Sequence, residues 1–229
     1  MTFTLRIAVT DRPGSLARIS TALARVGANI VTLEVLERSV ETAVDQLVIE
    51  APRATGEVLR RVLEQIPGTV VESLRPTRGH AGLPPLGLAA RLARTTPDEL
   101  LTVLVDGLTV SFDATWSAVV ASREPQPEVR ASSAGTPSFL NVATPWLPLR
   151  DVRRIPPGPW TPSRWGRAGE PLELAAAPLR DADEALLVAR PYGPRFAGRE
   201  LADIGMLAEV TVGLLARADA TVTPGASRA

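Results

Sequence analysis

The sequence predicts an α+β fold arranged in two domains. Near the N-terminus, the apolar residues of 3–9 alternate with polar or small ones, the two-residue period of a half-buried strand. Apolar residues at helical spacing follow this strand, and the chain then returns to strand-like segments. The length of 229 residues fits two domains of ordinary size, of which these elements account only for the first.

The first domain is predicted to have the element order β-α-β-β-α-β. A Pro-Gly turn joins the first strand to a helix with apolar residues at Leu16, Ile19, Leu23 and Val26. Gly27 is placed for the left-handed turn that ends this helix. Strands are predicted at 29–37, 43–50 and 69–74.

The remaining elements of this domain complete a known arrangement. Val31, Leu33 and Val35 share one face of the second strand, and Thr55 is placed to cap a helix with an apolar stripe over 58–66. The whole order is that of a ferredoxin-like unit, a four-stranded sheet with both helices on one face.

The motifs D-R-P-G-S-L-A-R-I at 11–19 and G-A-N-I-V-T-L at 27–33 resemble the signature of ACT domains, over roughly residues 3–75. Members of that family are regulatory modules that commonly bind amino acids. The resemblance implies a ligand site in the turn, closed by the second strand, which a neighbouring subunit often supplies. The implied site residues are Asp11, Arg12, Pro13, Gly14, Ser15 and Leu16, with Asn29 and Ile30 from the strand.

The chemistry of the turn agrees with such a site. Gly14 allows the backbone to approach a ligand closely, and the free N–H groups at a helix start attract a carboxylate. Two interpretations of Asp11 stay open: it pairs with a ligand amine, or it only braces the turn. Gly14 and Gly27 are expected to be structural. Asn29 is one of only two asparagines in a chain whose 25 basic residues are all arginine.

The second domain is predicted to begin with two helices. The first covers 86–94, and Thr96 with Glu99 forms a capping box for the next. Its buried stripe is Leu100, Leu101, Leu104, Val105 and Leu108. A strand is predicted at 115–122, and a hairpin joins 172–179 to 185–190. The last helix covers 198–220, with a polar surface at Glu200, Asp203, Glu209 and Arg217.

The segments A-A-P-L-R-D at 176–181, A-L-L-V-A-R-P at 185–191 and F-A-G-R-E-L at 196–201 resemble the closing half of a GAF domain, over roughly residues 84–219. Such domains are antiparallel-sheet sensor modules that hold small ligands or mediate dimers. The hairpin has Glu184 and Ala185 where a glycine is usual. Between 144 and 166, Trp146, Trp160 and Trp165 either anchor a long loop, which we favour, or fold over a pocket.

Composition excludes several function classes. Without cysteine there is no disulfide, thiolate nucleophile or iron–sulfur cluster, and the sole histidine, His80, falls in a Gly- and Pro-rich linker. We therefore predict no metal and no cofactor. The formal charge of zero and the absence of a basic cluster argue against nucleic-acid binding. No apolar run reaches membrane-spanning length, and we expect a cytoplasmic protein.

The predicted domains are an ACT-type domain at 1–76 and a GAF-like domain at 85–220, with a linker at 77–84 and a disordered tail at 221–229. We expect a non-catalytic homodimer whose ACT-type domain binds an amino acid and signals to the second domain. The alternative is a regulatory subunit that docks on a biosynthetic enzyme, since the N-terminal motif also resembles acetolactate synthase small subunits. Residues beyond Pro76 do not resemble the second half of those chains.

A third hypothesis places an active site in the second domain. Its carboxylates are Asp98, Glu99, Asp106 and Asp113, but the first two belong to a helix start and the others have no identifiable partner in the sequence. We therefore assign no catalytic residue and expect the protein not to be an enzyme.

Overall fold

The computed structural model describes residues 1–77, 83–166, 171–191 and 193–222. The described residues divide into two compact units, one formed mainly by residues 1–77 and the other mainly by residues 83–222. Both units are α+β, and every paired strand in them is antiparallel to its neighbour.

The first unit has the predicted β-α-β-β-α-β order. Its elements are β1 (Thr2–Thr10), α1 (Ser15–Arg25), β2 (Asn29–Arg38), β3 (Thr42–Glu50), α2 (Gly56–Glu64) and β4 (Thr69–Pro76). The sheet order is β2-β3-β1-β4, so β2 and β4 form its edges. This is the ferredoxin-like arrangement that the sequence predicted.

The core of the first unit lies between the two helices and one face of the sheet. Phe3, Leu5, Ile7 and Val9 of β1 are all buried, as the alternating pattern predicted. Ile19 and Leu23 of α1 and Leu59 and Leu63 of α2 complete the same cluster and are fully inaccessible to solvent. Each such side chain contributes about 1.5–3 kcal/mol by leaving water.

Two local predictions in this unit are confirmed. Thr55 caps α2, because its hydroxyl oxygen accepts a hydrogen bond from the Val58 N–H at 3.4 Å. Gly27 follows α1 with φ of 72°, a left-handed conformation that favours glycine.

The shared face predicted for β2 is confirmed for Leu33 and Val35, which lie opposite Leu47 and Asp45 of β3. Val31 is 50% exposed and Val35 is 47% exposed, whereas Leu36 is buried. The strand lies at the edge of the sheet, and its register against β3 shifts between Ile30 and Thr32 and again before Glu37. Val31 and Leu36 fall at these two shifts, where an extra residue interrupts the two-residue alternation. Leu16, predicted for the α1 stripe, is also exposed.

The second unit is built on a five-stranded sheet of order β6-β5-β9-β8-β7. Its elements are α3 (Pro85–Leu92), α4 (Leu100–Ser111), β5 (Trp116–Ala121), β6 (Glu128–Ser132), β7 (Arg153–Arg154), β8 (Leu172–Pro178), β9 (Glu184–Pro191) and α5 (Gly198–Val222). The predicted β8–β9 hairpin and the long last helix are confirmed.

Both faces of this sheet are covered. The helices α3, α4 and α5 pack on one face, where Val119, Leu186 and Val188 lie. On the other face, the long segment between β6 and β8 lays Trp146 and Trp165 against the sheet. These two rings are 5% and 1% exposed, so the anchoring interpretation of the tryptophans is confirmed for them. β5 and β9 are consequently buried along their whole length.

Two further predictions in the second unit need correction. Glu200 was expected on the polar surface of α5 but is buried, because it forms an ion pair with Arg190. The capping box before α4 forms differently: the Thr96 hydroxyl donates to the Glu99 carboxylate at 2.8 Å, and Pro97–Glu99 is a 3₁₀ turn. The backbone is therefore not capped by Thr96.

Some predictions fall on residues outside the described part of the chain. His80 and most of the predicted linker are among them, as are residues 223–229 of the predicted tail. The first two residues of that tail instead belong to α5, which continues to Val222.

Candidate functional site

The predicted ligand-binding turn joins β1 to α1 and is held from both sides. The hydroxyl group of Ser15 donates to the Thr10 carbonyl at 2.8 Å, and its N–H donates to the Arg12 carbonyl at 3.1 Å. The Asp11 N–H donates to the carbonyl of Glu41 at 2.8 Å, which connects the turn to the loop between β2 and β3. Gly14 has φ of 87°, a conformation that favours glycine.

The first turn of α1 offers unsatisfied N–H groups. Gly14 occupies the N-cap position, so no side chain caps the helix. Of the first four amides, those of Ser15 and Arg18 donate to backbone carbonyls of the turn. The amides of Leu16 and Ala17 have no such partner, and they lie at the positive end of the helix dipole. This turn is suited to bind an anionic group such as a carboxylate.

Asp11 is paired within the chain. Arg38, the last residue of β2, donates from Nε to the Asp11 carboxylate at 2.5 Å. This hydrogen bond and the charge of Asp11 raise the pKa of the Arg38 guanidinium, which remains protonated. The Arg38 side chain is 72% exposed, so the pair is a surface ion pair of small net stability. The sequence gives no local signal for Arg38, because its partner Asp11 is 27 residues away.

Asp45 is a second carboxylate near the turn, and it was not predicted from the sequence. It lies on β3 between Ala43 and Leu47, which both belong to the core, so its side chain is on the helix-bearing face of the sheet. The residue is 6% exposed and its Oδ1 atom has no hydrogen-bond partner in the described part of the chain. Burial raises the pKa of Asp45, and the charge of Asp11 raises it further.

Asp45→Asn is expected to raise the free energy of unfolding at pH 7 by about 1 kcal/mol, because it removes a buried charge. The pKa of Asp45 is higher in the folded chain than in the unfolded chain. The wild-type protein therefore loses stability as the pH rises through that folded-state pKa, and the advantage of the variant vanishes near about pH 4. Urea titrations at pH 4 and pH 7, in which hydrogen exchange of the β1 and β3 amides monitors unfolding, measure the difference in unfolding free energy between the two proteins.

Glu57→Gln is the matched control, since the Glu57 carboxylate is 80% exposed on α2. Its effect should be small at every pH. An Asp45→Asn advantage of equal size at pH 4 and pH 7 would contradict the assignment of a buried ionised carboxylate.

The structure brings some of the predicted site residues together and separates others. Asp11, Arg12, Pro13 and Gly14 form the turn, and Ser15 and Leu16 follow directly as the first residues of α1. Asn29 and Ile30 begin β2, whereas Arg38, which contacts Asp11, ends it. Asn29 pairs with Glu50 and Arg38 pairs with Ala43, so seven steps along β3 separate the two ends by roughly 23 Å. Within one chain, Asn29 therefore lies at the opposite end of the sheet from the turn.

The carboxylates that were considered for catalysis in the second unit are spread along the start and end of α4. Asp98 and Glu99 lie in the 3₁₀ turn before this helix, Asp106 lies within it and Asp113 follows it. Among the described residues, no group of three or more His, Asp or Glu side chains is placed to hold a metal ion.

Comparison with known families agrees with the geometry of the first unit. Residues 3–66 match the family model of the ACT domain. The chain thus carries an N-terminal ACT domain, a type of module that points to regulation by small ligands. No curated protein sequence matches the chain.

The chain is also similar to several solved structures. One is the GAF domain of a phosphoenolpyruvate-protein phosphotransferase from Acinetobacter, with 12% identity over 62% of this chain and 95% of that chain and a TM-score of 0.46. A GAF domain from Pseudomonas syringae pv. tomato shows 13% identity over 60% of this chain and 88% of that chain, with a TM-score of 0.45. The chromophore-binding domain of a bacteriophytochrome from R. palustris shows 13% identity over 95% and 94%, with a TM-score of 0.41.

The predicted fold class is confirmed. A ferredoxin-like ACT domain is followed by an α+β unit with an antiparallel sheet, and the structural neighbours of the chain include GAF domains. Within the described residues, no helix has both the length and the apolar character needed to cross a membrane.

Proposed function

We propose that this protein is a non-catalytic regulatory homodimer whose ACT domain binds an amino acid at the turn of residues 11–16. The observation that carries the proposal is the uncapped start of α1, with its two open amides, beside the carboxylates of Asp11 and Asp45. An amino acid has one negative and one positive group, and this turn offers partners of the opposite sign to both.

Dimerisation would complete the site through the exposed edge of β2. This edge presents open backbone hydrogen-bonding groups and the exposed apolar residues Val31, Leu33 and Val35. If a second copy pairs its β2 antiparallel to the first, about a two-fold axis, the start of one strand meets the end of the other. Asn29 of the second copy would then lie beside Arg38 and the Asp11 turn.

A ligand at this position would contact both copies and would bias how they pair. It can do so only by binding one assembly more tightly than another. A site shared between subunits provides that difference, because the ligand gains its full set of contacts only in the paired state. The second unit would receive the signal through the same change in pairing.

The first experiment is a thermal-shift screen of the full chain against the common L-amino acids, with calorimetry for every amino acid that stabilises it. A ligand at about one hundred times its Kd adds roughly 2.7 kcal/mol to stability. We expect one class of amino acids to do this, and Asp11→Ala and Asn29→Ala to abolish the shift without loss of fold. Glu57→Ala, which changes an exposed carboxylate of α2, should bind normally.

Mixing the two binding-deficient variants tests whether the site is shared. Each homodimer of Asp11→Ala or Asn29→Ala has two damaged sites, but a mixed dimer has one intact site. After equilibration of equal amounts, about one quarter of all sites should regain affinity. If the variants exchange subunits but no binding affinity is recovered, Asp11 and Asn29 do not belong to one site shared between two subunits. No shift with any amino acid, together with copurification of a large enzyme, would favour the docking alternative.

A further inference from the structure

We propose that the carboxylate of Asp45 is the group that binds the ammonium of the ligand, and that the site therefore selects amino acids over acids of the same shape that lack the amine. This inference rests on the proposed function and names the recognition chemistry of that same site. Asp45 belongs to neither of the motifs that predicted the site from sequence.

The structure gives Asp45 a carboxylate without a partner. Its Oδ1 atom is buried, accepts no hydrogen bond and has no salt-bridge cation among the described residues. Leaving a buried polar group unsatisfied typically costs about 1–3 kcal/mol, and a charged group costs more. A group kept under such a cost, next to a binding turn, is a candidate for function.

Asp11 is the less suitable of the two acids for this role. Its carboxylate already receives the Arg38 guanidinium, so its charge is compensated before a ligand arrives. Asp45 has no such compensation, and the nearby charge of Asp11 makes its ionised form still less favourable. A ligand ammonium would donate a hydrogen bond to Oδ1 of Asp45, and its positive charge would offset the repulsion between the Asp45 and Asp11 carboxylates.

The same charges define how the ligand is oriented. The α-carboxylate is repelled by Asp45 and Asp11 and is attracted to the open amides of Leu16 and Ala17 at the start of α1. The ammonium then points towards β3, and the side chain of the ligand is left to the remaining surface. A neutral hydroxyl in place of the ammonium forms only an uncharged hydrogen bond and leaves the repulsion between the acids in place.

The test measures selectivity rather than affinity alone. Calorimetry on the full chain compares L-leucine, L-phenylalanine, L-serine and L-aspartate with the 2-hydroxy acids of identical skeleton. For the amino acid that binds best, we expect the wild-type Kd to be at least about ten-fold lower than that of the matching 2-hydroxy acid. This ratio corresponds to about 1.4 kcal/mol. Asp45→Asn should reduce this preference to less than about three-fold, and Asp45→Glu, which keeps the charge, should restore part of it.

Gln46→Ala is the control, because Gln46 is the next residue on β3 and its side chain lies on the opposite face of the sheet. It should keep the full preference. An unchanged preference in Asp45→Asn, or a loss confined to Asp11→Asn, would overturn the assignment of Asp45 while the proposed function stands. Equal binding of amino and hydroxy acids by the wild-type chain would do the same. Absence of binding by any amino acid of the full screen would overturn the proposed function as well.

Discussion

Arg190→Leu is expected to lower the free energy of unfolding of the second unit by about 3–5 kcal/mol, the range for breaking a buried ion pair from one side. Arg190 is 2% exposed and donates to the Glu200 carboxylate at 2.6 Å. It also donates to the carbonyls of Phe112 and, at 2.9 Å, Pro194. One guanidinium therefore connects β9 to the end of α4 and the start of α5.

The measurement is urea unfolding followed by tryptophan fluorescence, which reports on the second unit because all four tryptophans belong to it. Arg180→Leu is the matched control: Arg180 is 41% exposed and lies 3.7 Å from Asp219 in a surface ion pair of about 0–1 kcal/mol. Arg190→Leu combined with Glu200→Leu should recover part of the loss, since both charges are then removed. Equal midpoints for Arg190→Leu and Arg180→Leu would contradict this role for the buried pair.

Trp165→Ala is expected to cost about 3–5 kcal/mol, as large aromatic truncations in a core do. The Trp165 ring is 1% exposed, and its centroid lies 4.7 Å from that of Phe139 and 5.2 Å from that of Trp116. Its indole N–H donates to the Ser138 carbonyl at 3.4 Å. Removal of the ring would leave a cavity between the sheet and the long segment that covers it, because neighbouring aromatic rings collapse poorly into such a space.

Trp160→Ala provides the comparison within the same cluster. Trp160 is only half-buried, although its ring centroid lies 5.9 Å from that of Trp165 and 6.5 Å from that of Trp146. Its truncation exposes less new apolar surface and should cost clearly less than that of Trp165 in the same urea titration. If the two variants lost equal stability, the segment would be anchored by its whole aromatic surface rather than by the buried ring.

The fold of the ACT domain could be predicted because its signals are local. Alternation in β1, helical spacing in α1 and α2, and the Thr55 cap each depend on residues within a few positions of one another. The pattern was least informative for β2, where two register shifts interrupt the alternation at Val31 and Leu36. A bulge depends on the neighbouring strand, so the alternation of a single strand does not indicate it.

The backbone of the candidate site and its Asp11 were predicted from the sequence, but Arg38 and Asp45 were not. Pro13 and Gly14 mark the turn, and the open amides follow from any helix start that no side chain caps. Arg38 and Asp45 were missed, because each comes near the turn only when β2 and β3 lie beside β1. Asp45 occupies the same face of β3 as the apolar residues Ala43 and Leu47. The sequence pattern indicates this shared face, but it does not indicate whether the Asp45 carboxylate has a hydrogen-bond or ion-pair partner.

The sequence by itself determined the element order of the first unit, the division into two units and the turn that carries the proposed ligand site, because propensity, periodicity and turn chemistry act over short distances. Only the tertiary structure decided which charges are paired. It pairs Arg38 with Asp11 and Arg190 with Glu200. It also buries Asp45 with a carboxylate oxygen that accepts no hydrogen bond from the described residues. Burial and ion pairing are properties of the assembled sheet and helices, since they depend on which distant residues remove water from a group.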